Sequence, residues 1–328
     1  MIRLGTVGTS RIAKQFLTAL KQDTRFVHAA VYSRCADTGT AFAEEMGCMG
    51  NVYTDFERFA TANELDAVYV ASPNGCHFEQ CKRLLECGKH VLCEKPITLT
   101  ADEYAYLRTL AKNKGVVLME AIMSRHSPAY EPLHAAVARI GTPAAARLDF
   151  SQRSSRYDAY AAGETPNIFN ISLGAGALMD LGVYCVWAAV DLFGKPKRIQ
   201  ACASFGREGV DLAGSALFEY DGFTATLTYA KTGQTALRSE IIGDDATVTL
   251  GWISTYSEFA VLPTHGEREE SGHRESVVVM EGEIAHFADY IARPAEDYER
   301  LCDQTAIVRE CMDEIARKAG IVYRKDGK

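Results

Sequence analysis

The sequence predicts an α/β protein in two parts, a parallel-sheet domain over residues 1–122 and an α+β domain over residues 123–328. Three observations predict this. Short apolar runs alternate with helical patterns over roughly the first 120 residues, the rhythm of βαβ units. Beyond residue 122 the strands lengthen and alternate. Phe223, Ala225, Leu227 and Tyr229 fall on one side there, and Thr224, Thr226 and Thr228 on the other. Finally, 328 residues are long for one core and comfortable for two.

In the first part the strand candidates are Ile2–Val7, Val27–Tyr32, Ala67–Ala71, His90–Cys93 and Val116–Met119. Thr54-Asp55-Phe56-Glu57 and Thr100-Ala101-Asp102-Glu103 both fit the capping box, in which a threonine and a glutamate satisfy each other's free amides. Gly88 and Gly115 end the helices before the fourth and fifth of these strands. In the second part Tyr220-Asp221-Gly222 and Gly243-Asp244-Asp245 supply hairpin turns. Residues Ala175–Phe193 form a helix that is apolar almost all round and so is buried. The polar stretch Thr264–Ser276 reads as a loop. A final helix over Cys302–Lys318 closes the chain, with the option of packing back on the first domain.

Lys and Arg total 35 against 43 Asp and Glu, a net charge of −8. Without a basic block, nucleic acid and anionic membranes are poor partners. The ten cysteines are scattered and form no Cys-x-x-Cys. No His/Asp/Glu cluster has metal-ligand spacing, so no metal is expected. Met1 leads directly into the first strand, without a signal-peptide pattern, and no apolar run approaches a membrane span. These features predict a soluble, cytoplasmic protein.

Gly5-Thr6-Val7-Gly8-Thr9-Ser10-Arg11-Ile12-Ala13 follows the first strand and opens a helix. In a dinucleotide-binding (Rossmann) domain the first glycine of this fingerprint makes the tight turn. The second lets the backbone approach the pyrophosphate, and the third lets helix and strand pack closely. Gly8 fills the first position and Ala13 the third. Ser10 replaces the second glycine, where its hydroxyl can donate to a phosphate at the helix N-terminus. Gly8, Thr9, Ser10, Arg11 and Ile12 are the cofactor-binding candidates of this loop.

The second strand ends Val31-Tyr32-Ser33-Arg34, with no acid to bind a ribose 2′-hydroxyl. Arg34 can instead pair with a 2′-phosphate and Ser33 can hydrogen-bond it, which favours NADP over NAD. A solvated loop arginine is the alternative reading. In Ala71-Ser72-Pro73-Asn74-Gly75-Cys76-His77, the residues Ser72, Pro73, Asn74 and His77 are candidates for the nicotinamide half. A capped turn with no ligand fits them equally.

Glu94-Lys95-Pro96 places a cation at the carboxyl edge of the sheet, where open α/β folds bind ligands. Within Gly176-Ala177-Leu178-Met179-Asp180-Leu181-Gly182-Val183-Tyr184, a carboxylate and a phenol stand four residues apart, on one face of a helix. A buried carboxylate needs a partner, and Gly182 inside a helix needs a close neighbour to be worth its roughly 1 kcal/mol cost. A lysine, an acid and a tyrosine together can move a proton while a nicotinamide moves a hydride. A lysine ammonium near the phenol lowers its pKa from about 10 and so eases that transfer. Asp180 and Tyr184 pairing only with backbone is the purely structural alternative. Arg125 and Asn167 are substrate candidates, with an interdomain salt bridge and a turn residue as their respective alternatives. His126 and His134 are assigned to packing or capping.

With Gly5–Ala13, Ala71–His77, Glu94-Lys95-Pro96, Met119-Glu120-Ala121, Gly174–Tyr184, Glu240-Ile241-Ile242-Gly243 and Val308–Ile315 in this order, the chain resembles the Gfo/Idh/MocA family of oxidoreductases. Tyr184, where many members have histidine, resembles the branch of dimeric dihydrodiol dehydrogenase, NADP-dependent D-xylose dehydrogenases and glucose-fructose oxidoreductase. The resemblance implies a large, open, mainly antiparallel sheet in the second domain and a homodimer or higher homo-oligomer. It implies Glu94 near the nicotinamide ribose, Lys95 beside the reacting carbon, and Asp180 and Tyr184 completing the site with Tyr184 as general acid/base. The implied activity is NAD(P)-dependent hydride transfer to or from a secondary alcohol or carbonyl of a sugar, polyol or trans-diol. A non-catalytic NAD(P)-binding sensor or co-regulator, and an NAD-dependent glycosidase, are the alternatives on this fold. Ser10 departs from the family's glycine pattern at the phosphate loop.

Overall fold

Near-continuous apolar runs such as Val68-Tyr69-Val70 and Val91-Leu92-Cys93 are fully buried, as strands covered on both faces must be. They belong to a six-stranded sheet seen in a computed structural model that describes residues 1–271, 280–293 and 296–323. The elements run β1 (Ile2–Val7), α1 (Arg11–Leu20), β2 (Phe26–Tyr32), α2 (Ala36–Met46), β3 (Asn51–Tyr53), α3 (Phe56–Ala60), β4 (Ala67–Val70), α4 (Asn74–Glu86), β5 (His90–Glu94), α5 (Ala101–Lys114) and β6 (Leu118–Ala121). Strand order is β3-β2-β1-β4-β5-β6 with every neighbour parallel. This is the doubly wound order, and its winding reverses between β1 and β4, so their carboxyl ends open a crevice.

The second sheet has eight strands. After α6 (Tyr130–Val137) come β7 (Pro143–Ser151), α7 (Tyr157–Ala161) and α8 (Val183–Phe193). Then follow β8 (Arg198–Phe205), β9 (Asp211–Glu219), β10 (Thr224–Ala230), β11 (Ser239–Gly243), β12 (Ala246–Trp252), β13 (Ser257–Pro263) and β14 (Glu269–Ser271). The order is β14-β13-β12-β11-β7-β10-β9-β8, antiparallel except where β10 runs beside β7. The predicted alternation holds in β10: Ala225, Leu227 and Tyr229 are fully buried while Thr224 and Thr226 are exposed. Both predicted hairpin turns are present, and α8 packs on β7 and β10.

Helices α9 (Glu281–Ala292) and α10 (Glu296–Ala319) complete the chain. By contacts the first unit is Met1–Ile122 with Val277–Cys302, and the second is Met123–Ser276 with Asp303–Lys328. The division thus differs from a single cut at residue 122: α9 and the first turns of α10 go with the first unit. Phe287 of α9 is fully buried and stacks on Phe26 at 6.4 Å, a pairing of residues far apart in sequence that local pattern cannot reveal.

Smaller differences have local causes. The last parallel strand begins at Leu118 rather than Val116 because Val116 N still donates to Ala111 O, at 3.1 Å, just past Gly115, the left-handed cap of α5. Asp55, not Thr54, caps α3, its carboxylate accepting from Arg58 N at 3.0 Å. At α5 Thr100 caps as predicted, but Glu103 reaches Leu99 N instead of the cap's own amide. The stretch 264–276, read as a loop, contains β14, and residues 272–276 lie outside the described residues. The terminal helix starts at Glu296, earlier than Cys302. All ten cysteines are free, and among the described residues no helix is long and apolar enough to cross a membrane.

Candidate active site

In the first unit the turn after β1 is built on Gly8. Its φ is +99°, and a Cβ there would lie 2.8 Å from the Ala71 carbonyl oxygen. Only glycine fits this turn, where the backbone must pass close to the end of β4. Ser10 caps α1, its Oγ accepting from Ala13 N at 3.4 Å, and Ala13 is fully buried as the close-packing position requires. Thr9, Arg11 and Ile12 complete this turn and the start of the helix.

At the end of β2, Ser33 is buried and its hydroxyl donates to Cys35 O at 2.9 Å. That hydrogen bond braces the turn. Arg34 beside it is exposed.

His77 is enclosed by protein. It is fully buried, with Nδ1 2.9 Å from Pro96 O and Nε2 2.9 Å from Ser72 O. The ring is a brace between the Ser72-Pro73 turn and the Lys95-Pro96 turn rather than a group presented to a ligand. Burial, with Lys95 nearby, holds its pKa below the usual histidine value. Ser72 Oγ is hydrogen-bonded to Gln80 at 2.6 Å, while Pro73 caps α4 and Asn74 is its first residue.

Glu94 ends β5, buried, and accepts from the Tyr69 hydroxyl. Burial raises its pKa, and Tyr69 and Lys95 oppose the rise. Glu120 of β6 accepts from Ile97 N at 2.8 Å, fixing the chain just past Pro96. Lys95 is therefore held on both sides at the carboxyl edge of the sheet, and it is partly exposed.

In the second unit the predicted helix over 175–193 is not uniform. It opens as a π-helical turn over Leu178–Gly182 and continues as α8. Asp180 lies in the wide turn and Tyr184 in the first turn of α8, so ideal α-helical spacing does not apply between them. Gly182 explains itself: a Cβ there would lie 3.0 Å from the Tyr229 ring. Tyr184 is buried, its ring edge-on to Phe150 at 5.4 Å.

The partner that Asp180 needs is Lys231, absent from the sequence-based candidates. Lys231 Nζ is 3.0 Å from Asp180 Oδ2; the lysine side chain is 1 % exposed and the carboxylate 38 %. A signal for it existed. Lys231 continues the alternation of Ala225, Leu227 and Tyr229, which puts an ammonium on the buried face. Asn167 is exposed on a short turn, Asn167–Phe169, whose Ile168 carbonyl accepts from the same ammonium at 2.7 Å. Arg125, by contrast, is 5 % exposed and lies over the Tyr130 ring at 4.3 Å. His134 is structural, 3.0 Å from Asp191.

Asp211 was also missed. Its Oδ2 accepts from Leu178 N at 2.7 Å and so caps the turn carrying Asp180. Burial raises its pKa to about 6, against the opposing pull of the Leu178 amide and Lys231. Its value in an unfolded chain is about 3.9, so between about pH 4 and pH 6 the native state holds the extra proton. Stability is then highest below that window and falls as pH rises through it, by roughly 3 kcal/mol at most. Asp211→Asn, which keeps an acceptor for Leu178 N, is expected to flatten this contribution. Urea unfolding midpoints across that pH range check it; an equal slope in both proteins would show that Asp211 is not its source.

Comparison with known proteins agrees with this architecture. The model described as "Oxidoreductase family, NAD-binding Rossmann fold" matches residues 2–122, and that of the "GFO/IDH/MocA C-terminal domain" matches residues 134–249. Scyllo-inositol 2-dehydrogenase (NADP(+)) of Bacillus subtilis is 35% identical over 327 residues, covering 99% of each chain. The chain belongs to the Gfo/Idh/MocA family. This member is also similar to a D-xylose 1-dehydrogenase (NADP(+)) of Haloferax volcanii, 35% identical over 67% of each chain. A 3-ketoreductase from Actinomadura kijaniata, solved with NADP and TDP-benzene, shares the fold with a TM-score of 0.86. It is 24% identical and covers 97% of this chain, which covers 98% of it. As a Gfo/Idh/MocA member the protein is an NAD(P)-dependent dehydrogenase or reductase acting on CH–OH groups.

Proposed function

We propose that this enzyme interconverts a secondary alcohol and a carbonyl of a sugar, polyol or trans-diol, with NADP preferred over NAD. In this reading Tyr184 is the general acid/base, Lys95 stands beside the reacting carbon, and Asp180 orients them. The observation that carries it is the end of β5, where Glu94 and Lys95 are fixed by Tyr69 and Glu120 on the same sheet edge as the Gly8 turn. The closely packed Gly8 turn and the start of α1 fit a dinucleotide's pyrophosphate, with Gly8, Thr9, Ser10, Arg11 and Ile12 as its contacts. Ser72, Pro73 and Asn74 follow β4 on the same edge and line the nicotinamide side.

The nicotinamide supplies the acceptor or donor of the hydride. Tyr184 takes the proton from the substrate hydroxyl during oxidation and returns it during reduction. The Lys95 ammonium offsets the negative charge that grows on the substrate oxygen. Asn167, on an exposed turn joined to Asp180 through Lys231, is assigned to substrate contact.

The cofactor preference rests on Arg34. No acid stands at the end of β2 to bind a 2′-hydroxyl, and the exposed Arg34 there can pair with a 2′-phosphate, with Ser33 beside it. Arg34→Ala is expected to erode the NADP preference about 10-fold or more, the worth of a charge-assisted hydrogen bond. Titration calorimetry with both cofactors checks this, and tighter NAD binding by the unmodified protein would refute the assignment. The activity itself is tested with scyllo-inositol, D-xylose and trans-dihydrobenzenediol, the substrates of named relatives and of the branch, read at the nicotinamide absorbance. NADP binding without turnover of any aldose, polyol or diol would overturn it.

A further inference from the structure

We propose that Lys231 is a positioning residue for catalysis, holding the Asp180 carboxylate in its working orientation and tying it to the substrate-side turn Asn167–Phe169. The inference rests on the assignment of Asp180 to the active site. An ammonium has three N–H donors. Here one faces Asp180 Oδ2 at 3.0 Å, one donates to Ile168 O at 2.7 Å, and the group lies 4.9 Å from the centre of the Phe169 ring. A carboxylate, a carbonyl and an aromatic face together suit a cation that is 1 % exposed. Such burial keeps Lys231 from touching substrate, so it acts through the groups it holds.

The pairing is asymmetric. Lys231 is out of reach of solvent, while Asp180 keeps 38 % of its side chain open. Lys231 thus holds the Asp180 carboxylate from the buried side, at Oδ2, while part of that side chain is open to solvent. Ile168, held by its carbonyl to the same nitrogen, is 37 % exposed. Phe169 beneath it is buried in a small cluster with Tyr160, Ile171 and Val210. Lys231 thus bridges the turn and Asp180 directly. Lys231 also acts electrostatically on Asp211, which caps Leu178 and offers a second, purely structural route for any effect of its removal.

A double-mutant cycle separates these routes. The variants are Lys231→Gln, Asp180→Asn and the pair, assayed with NADP and the fastest of scyllo-inositol, D-xylose and trans-dihydrobenzenediol. Glutamine keeps a donor for Ile168 O and removes the charge. Lys231→Gln is expected to lower kcat about 10-fold or more, with the KM for NADP changed less than about two-fold. In the Asp180→Asn background the same change should cost less than about two-fold, because no carboxylate remains to be held. Lys231→Arg, which keeps the charge and moves the donors, is the second variant should the glutamine protein fail to fold. It should retain more activity than Lys231→Gln, and its loss too should vanish in the Asp180→Asn background.

Full kcat in the Lys231 variants, or losses that multiply in the double variants, would overturn the proposal and leave Lys231 as a structural residue only. Full kcat in Asp180→Asn would instead remove Asp180 from the mechanism, and this proposal with it. The first outcome leaves the assignment of Asp180 standing and the second does not.

Discussion

Tyr184→Phe is expected to lower kcat roughly 100- to 10,000-fold, the usual contribution of a general acid/base, while leaving NADP affinity unchanged. The substitution keeps the buried ring and its edge-on contact with Phe150, and removes only the hydroxyl that carries the exchangeable proton. Lys95→Met should cause a loss of the same order with the cofactor still bound, because Gly8 and Arg34 lie elsewhere on the sheet edge. The two losses should not multiply, since the lysine acts partly through the charge on the oxygen that the tyrosine protonates. The measurements are kcat under conditions where chemistry limits the rate, and NADP affinity by calorimetry. An unchanged kcat for Tyr184→Phe would take the phenol out of the mechanism.

The largest stability effect is expected at Asp191. Its side chain is 1 % exposed and receives four hydrogen bonds: Tyr130 Oη at 2.8 Å, His134 Nε2 at 3.0 Å, Tyr256 Oη at 3.1 Å and Gln304 Nε2 at 3.1 Å. These donors come from α6, the turn between β12 and β13, and α10, all gathered on the last turns of α8. Asp191→Ala would leave several buried polar groups without an acceptor. The expected loss is about 3–5 kcal/mol, the range seen when one partner of a buried charged network is removed. Urea denaturation measures it, and a loss below about 1 kcal/mol would mean that the donors find other partners.

The parallel sheet was legible because its strands are nearly continuous apolar runs set off from the preceding helices by glycines, as Gly88 and Gly115 show. β3, Asn51-Val52-Tyr53, escaped because three residues carry no usable period. The candidates at Gly8, Glu94-Lys95 and Asp180/Tyr184 were nominated by their chemistry alone. What escaped depends on register between distant segments. His77 is buried because the Pro96 carbonyl, nineteen residues later, lies against it. Asp211 caps Leu178 only once β9 has taken its place in the sheet. The π-helical turn has the composition of an ordinary helix, and Gly182 hinted at a close neighbour without naming Tyr229.

The first unit recruits Val277–Cys302, and that has a consequence for how the chain is made. All six parallel strands are synthesised by Ala121, but Phe26 has no Phe287 to stack on and Arg25 no Asp289 to pair with, 2.5 Å away, until α9 leaves the ribosome. At about 5–20 residues per second, the roughly 180 residues in between take some 10–35 s. Over that interval the sheet made first stands with the surface around Phe26 uncovered, while every strand of the second sheet is made behind it. A nascent chain stalled after β14 would therefore still expose the surface around Phe26, the kind of uncovered apolar patch that chaperones bind.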